Sequence, residues 1–164
     1  MQEPTPPELI VYCDGASRGN PGPAAYGIVV TMRDGREILS EGRAIGRCTN
    51  NEAEYRGLAR ALEVVGQYQP AQVEVRLDSE LLVQQMNGRY RVRAPGLAPL
   101  HARVQELVRA LPSVRFVHVP RGANARADAL ANAALDAQGG GRLHRSSMHH
   151  AHRGWRVGRR SQGP

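Results

Sequence analysis

The 164-residue chain has no lysine: all 22 of its basic residues are arginine. Arginine codons can be GC-rich, so this absence reads mainly as genomic base composition and carries no functional weight. Cysteine is nearly absent as well. Cys13 and Cys48 are too few for a disulfide scaffold and have no His or Cys at zinc-ligand spacing, so they suit a reducing cytoplasm. Long apolar runs are missing: the one around Gly27 to Val30 falls far short of the ~20 residues that a membrane span needs. The polar, proline-rich stretch Met1 to Glu8 has no basic region followed by an apolar one, which argues against a secretory signal. Nor does the sequence offer a convincing nucleophile triad.

What is present suits one globular domain: 41% of the residues are hydrophobic, enough for a single sizeable core at this length. The net charge of +7 is unevenly spread. Six arginines (142, 145, 153, 156, 159 and 160) and no acid follow Ala137, which leaves sixteen arginines against fifteen acids before it. The body is therefore nearly neutral and the basic excess lies in a tail. Gly139 to Gly141 and the polar sequence beyond them place a disordered segment at 138–164, and residues 1–7 are read the same way.

Between them, patterning gives an ordered series of elements. Leu9 to Asp14 is an apolar run ending in a carboxylate, the mark of a strand buried on both faces. Gly15 to Pro23 reads as a turn-rich loop, Ala25 to Met32 as a second strand, and Asp34-Gly35 as a hairpin turn into a third strand over Arg36 to Ile45. Leu58, Ala61, Leu62 and Val65 recur at helical spacing within 51–67. Val73, Val75 and Leu77 then alternate with Glu74 and Arg76 in a strand ending at Asp78. A short helix to Met86, a helix over 95–110, a strand over 114–119 and a helix over 125–137 follow. The order βββαβααβα describes an α/β domain with a five-stranded mixed sheet and flanking helices.

Four acids could carry chemistry. Asp14 and Asp78 end strands where an unpaired buried carboxylate is costly, and ligands of open α/β sheets bind at the carboxyl ends of strands. The bland alternatives are a turn-forming Asp14-Gly15 and a helix N-cap at Asp78. Glu54 precedes Leu58 by four and extends the core-facing stripe, whereas Glu52 precedes Arg56 by four on the solvent side. Both glutamates also fit capping boxes, with Thr49 and Asn51 respectively. Asp128 sits in a helix's first turn, where Asp is favoured by the macrodipole alone. Gathered in one place, such acids repel one another unless hard cations, magnesium or manganese, neutralise them. Two of these ions ~4 Å apart can activate water and stabilise the leaving oxygen in phosphodiester hydrolysis.

The motifs carrying these acids are similar to those of type I ribonucleases H. Tyr12-Cys-Asp14-Gly-Ala-Ser-Arg-Gly-Asn20-Pro-Gly-Pro23 resembles that family's first-strand signature, and Thr49-Asn-Asn-Glu-Ala-Glu54-Tyr55 its first-helix start. Leu77-Asp78-Ser79 and Asn124-Ala-Arg-Ala-Asp128-Ala-Leu-Ala-Asn132 resemble the two later motifs, in the family's order, over residues 8–137. The resemblance implies a ribonuclease H-like fold and endonucleolytic cleavage of the RNA strand of RNA–DNA hybrids, leaving 5′-phosphate and 3′-hydroxyl ends. It carries the catalytic and metal-binding roles onto Asp14, Glu54, Asp78 and Asp128, with Asp14 bridging two magnesium or manganese ions. Asn20, Asn50 and Asn51 match minor-groove contacts to RNA 2′-hydroxyls, and Arg47 and Thr49 match a grip on a DNA-strand phosphate. Each also has a bland reading as a loop residue, an N-cap or a solvated arginine.

Two family features are missing. No histidine stands in the short loop Val119-Pro-Arg121-Gly-Ala-Asn124, where many relatives place one, which leaves Arg121 or His118 as the possible substitute. The long basic protrusion with tryptophans is absent too; Arg89, Arg91 and Arg93 around Tyr90 are either part of a substrate surface or a solvated loop. The tail reads equally as an electrostatic tether for nucleic acid and as an extension without function. The expected protein is a cytoplasmic, monomeric nuclease without a protein or membrane partner. Its rivals are a same-fold nuclease for double-stranded RNA or DNA junctions and a non-catalytic hybrid-binding module.

Overall fold

Alternation in the second strand sets the architecture. In the computed structural model, which describes residues 5–140, the strands are β1 (Glu8–Ser17), β2 (Gly22–Met32), β3 (Glu37–Cys48), β4 (Gln72–Leu77) and β5 (Val114–His118). They form one sheet in the order β3-β2-β1-β4-β5. The helices are α1 (Asn50–Gly66), α2 (Glu80–Met86), α3 (Ala98–Arg109) and α4 (Ala125–Gly140), with a 3-10 turn at Arg121–Asn124 before the last. Tyr26, Ile28 and Val30 of β2 join Leu9, Val11 and Cys13 of β1 beneath Tyr55, Leu58, Leu62 and Val65 of α1. Ala25, on the opposite face, packs with Ala131, Ala134 and Leu135 of α4. Layers on both sides explain why β2 is buried almost throughout and reads as a continuous apolar run.

The first three strands form an antiparallel meander and β4 and β5 add parallel to it. The Asp34-Gly35 turn closes the second hairpin: Gly35 takes a φ of 93°, which suits glycine, and Asp34 Oδ1 accepts from the Arg36 N–H at 2.9 Å. Among the described residues, no helix is long and apolar enough to cross a membrane.

Several boundaries differ from the sequence pattern, among them β3, which runs on to Cys48 instead of ending at Ile45. β1 continues to Ser17 and β2 begins at Gly22, so the Gly15–Pro23 loop shrinks to its tip. α3 starts at Ala98 instead of Pro95, because a turn closed by the Leu97 N–H on Ala94 O comes first. α4 runs to Gly140, past the expected end at Ala137 and through two residues of the glycine run; Ala134, Leu135 and Ala137 are still buried against the sheet, and that packing outweighs the helix cost of glycine. At the other end, Pro7 O already accepts from the Ala71 N–H. The rest of the tail, 141–164, and residues 1–4 lie outside the described residues.

Candidate metal centre

Register brings the first two acids together. β1 and β4 run parallel with Tyr12 opposite Arg76, and the same offset two residues on sets Asp14 beside Asp78. Asp78 does not cap the helix that follows it: Ser79 is the N-cap of α2, its Oγ accepting from the Leu82 N–H at 3.3 Å. The capping explanation for Asp78 therefore fails, and its carboxylate is free to face β1.

Glu54 arrives from above. Any Cβ at Gly15 would collide with the backbone of Ala53 and Glu54, so only glycine lets the first turns of α1 lie directly on β1. The Cys13 thiol donates to the Glu54 carbonyl at 3.8 Å, a second tie at this crossing. Thr49 is the helix cap. Its Oγ1 accepts from the Glu52 N–H at 3.1 Å while the Glu52 carboxylate accepts from the Thr49 N–H at 2.8 Å, a complete capping box. The two glutamates thus divide the work: Glu52 closes the helix end, and Glu54, 8% exposed, points at the strand ends.

Carboxylate oxygens of Asp14, Glu54 and Asp78 all lie within 4.8 Å of one another. Asp128 approaches from α4 and acts on the Asp14 carboxyl, though it stands outside the group of three whose oxygens lie within 4.8 Å. It too depends on a glycine: Gly27 is the cross-strand partner of Asp14, and a Cβ there would strike Ala127 and Ala131 of α4. Asn132 Nδ2 donates to Asp128 Oδ1 at 3.2 Å. One contributor was not singled out by the sequence. Asn124, 1% exposed, donates from Nδ2 to the Cys13 carbonyl at 2.8 Å and so fixes the start of α4 to the residue before Asp14. Its one signal was its place one turn ahead of Asp128.

The site's electrostatics are unbalanced. Burial, a hydrogen bond shared with Asp128 and repulsion from Asp78 push the Asp14 carboxyl up to about 8 against the opposing Gly15 N–H. Burial and the charges of Asp14 and Asp78 raise Glu54 to about 8, with Arg121 working against them. Burial, then Glu54, Asp14 and Asp78, raise the Cys13 thiol in turn. Glu54 Oε2 is buried with no hydrogen-bond partner among the described residues. An orphaned carboxylate oxygen beside two further acids fits a hard divalent cation.

The remaining sequence-derived residues lie near this cluster without entering it. Asn20 and Asn50 tie the β1–β2 loop to α1: Asn20 Oδ1 accepts from the Asn50 N–H at 2.8 Å, and Asn50 Oδ1 from the Ser17 N–H at 2.7 Å. Their amide NH2 groups remain as donors, and Asn51 is half-buried in the same first turn. Arg47 is exposed on β3, next in line to the cap at Thr49. His118 is exposed at the end of β5, in register with Leu77. Arg121 is exposed in the 3-10 turn, and its charge reaches Glu54.

The family model described as reverse transcriptase-like matches residues 12–134. Ribonuclease HI of Halobacterium salinarum is 46% identical over 125 residues, 76% of this chain and 63% of that protein. A bifunctional protein of Mycobacterium tuberculosis is 44% identical over 131 residues, 79% of this chain and 36% of its own length. The chain thus spans only part of the curated relatives it matches. Among solved structures, RNase H1 from Halobacterium salinarum superposes with a TM-score of 0.76 at 45% identity, over 79% of this chain and 98% of that one. An RNase H1 solved in complex with an RNA/DNA hybrid gives 0.75 at 44% identity, over 78% and 96%.

Proposed function

Since the chain belongs to the type I ribonuclease H family, we propose that it hydrolyses the RNA strand of RNA–DNA hybrids as a metal-dependent endonuclease, leaving 5′-phosphate and 3′-hydroxyl ends. The observation that carries the reading is the meeting of Asp14, Glu54 and Asp78, from β1, α1 and the end of β4, within 4.8 Å. No structural economy explains two buried acids held there without a cationic partner.

Asp14, Glu54, Asp78 and Asp128 would hold two divalent ions, magnesium or manganese. When bound, these supply water activation and charge stabilisation at the leaving oxygen. The protein's own part is placement. Strand register and two glycines hold the acids at fixed spacing, and Asn124 anchors the helix that carries Asp128. The free NH2 groups of Asn20 and Asn50, with Asn51, offer donors to minor-groove and 2′-hydroxyl acceptors, and Arg47 and Thr49 take a DNA-strand phosphate. Of the two candidates for the missing loop histidine, Arg121 is favoured over His118 because its charge acts on Glu54. We place this enzyme in the cytoplasm as a monomer, in keeping with its two free thiols.

The test is a panel of labelled hybrid, duplex RNA and duplex DNA, each with magnesium and with manganese. The hybrid alone should be cut, in its RNA strand. Asp78→Asn should abolish cleavage and leave hybrid binding within a few-fold of wild type; full activity in that variant with metal supplied sinks the assignment.

A further inference from the structure

A basic recess of about 320 Å³ opens between β3, α1 and α3, lined by Tyr26, Arg43, Arg56, Arg60, Glu63 and Leu100 among others. Its acids are already matched. Arg60 pairs with Glu41 through Nε at 3.2 Å, and Glu41 also accepts from the Tyr26 hydroxyl at 2.9 Å. Glu63 is held by Arg103 at 3.1 Å. Arg56 reaches only neutral groups, the Ile45 carbonyl at 3.2 Å and the Cys48 thiol, and Arg43 reaches the Tyr26 hydroxyl; neither guanidinium has a carboxylate bonded to it among the described residues. Two guanidinium groups therefore stand in the recess with no carboxylate bonded to them among the described residues, facing an opening large enough for a phosphate group.

The position of the recess says which phosphate. Gly15, Tyr26 and Arg43 are register partners across β1, β2 and β3, so the recess lies level with the residue after Asp14. Arg56 also lies against Cys48, which joins Arg47 to Thr49. Arg56 thus links the recess to the segment that carries the residues assigned above to a DNA-strand phosphate. Arg43 and Arg47 are four residues apart on β3, with a register shift between them, so each occupies its own position along the strand.

We propose that Arg43 and Arg56 form a second phosphate subsite, which takes another backbone phosphate of the strand gripped by Arg47 and Thr49. This rests on the hybrid-nuclease reading. Each guanidinium that meets a phosphate adds affinity by releasing counterions, so removing one lowers the salt slope of binding by about 0.9.

The test measures anisotropy of a labelled hybrid in EDTA, where cleavage cannot interfere, across a salt series. Wild type is compared with Arg43→Ala, Arg56→Ala and a charge control on the surface of α3, Arg109→Ala. Arg43→Ala should weaken binding of a long hybrid about fivefold at low salt and reduce the slope by about 0.9. A hybrid too short to extend past Thr49 should bind the variant and wild type alike. Arg56→Ala should do the same provided its circular dichroism is native, and Arg43→Ala carries the test alone if it is not. Equal slopes for Arg43→Ala and wild type on the long hybrid, or an equal loss in Arg109→Ala, overturn the subsite. A parallel magnesium assay keeps the two readings apart: no cleavage by wild type rejects the nuclease reading, while the slopes still decide the subsite.

Discussion

The buried carboxylate of Glu74 and the acid cluster of Asp14, Glu54 and Asp78 lie a few residues apart along the central part of the fold, and the two groups are opposites. Glu74 of β4, 6% exposed, is gripped by Arg115 and by Arg76 at 2.7 Å, and Arg76 in turn reaches the Tyr12 hydroxyl at 2.7 Å. Its carboxyl is held below the usual range, chiefly by the Arg115 hydrogen bond. Four residues along the same chain, Asp78 meets Asp14 and Glu54 with no guanidinium bonded to any of them among the described residues, and the latter two are pushed up to about 8. Burial of charge is therefore not the signature of a site. An acid with its cation in place is finished architecture, whereas acids left to repel one another are waiting for a cation from outside.

Charge-neutral substitutions should separate the two groups most sharply. Glu54→Gln is expected to lower cleavage of a hybrid on the order of 10³-fold, because the proposed metal shell would lose one acid. Glu74→Gln should leave kcat/KM within about twofold, and a comparable loss there would erase the distinction.

The pH dependence of stability comes next, and the signs are opposite. The folded protein keeps a proton on Asp14 up to about 8 that the unfolded chain releases near 3.8. Without metal, this acid's contribution is full below about 4 and is lost as the pH rises toward 8. Asp14→Asn should therefore match wild type in melting temperature near pH 4 and exceed it by several degrees at pH 8, and saturating magnesium should close that gap by stabilising wild type alone. Glu74, with a lowered folded value, stabilises at neutral pH and stops doing so as the pH falls through that value. The deficit of Glu74→Gln should therefore shrink in acid.

Smaller effects belong to the finished architecture. Glu74→Ala should cost about 1–2 kcal/mol in urea unfolding at pH 7, a modest figure because both guanidiniums are partly exposed and return to water. Glu52→Ala should cost about 0.5–1 kcal/mol by opening the capping box, with cleavage kept within about twofold. A collapse of activity in Glu52→Ala would mean that the helix offers its other glutamate to the site.

The element order was readable because β1, β2 and α1 are patterned by burial, and that patterning also separated Glu54 from Glu52. Asp78 was locally ambiguous, since an Asp before a helix is as good a cap as Ser79; only the placed Ser79 hydroxyl resolves it. Asp128 was less legible still, because its approach to Asp14 depends on how closely α4 settles on β2, a tertiary distance with no local trace. The alternation around Glu74 marked the strand but left its burial unread, because that burial depends on Arg115, forty-one residues away on another strand. The overrun of α4 through Gly139 had the same origin, packing that propensity could not reveal.

Gly15 and Gly27 sit side by side around Asp14, one on its own strand and one directly across from it. Each sets a clearance, Gly15 for the helix that delivers Glu54 and Gly27 for the helix that delivers Asp128. A single methyl group at either position would act as a shim under one helix and leave the other seated. Of the four acids, Glu54 and Asp128 are therefore separately mounted on their helices, set against Asp14 and Asp78 on the strands. The spacing on which the chemistry depends is governed by two hydrogen atoms that carry no charge and touch no substrate.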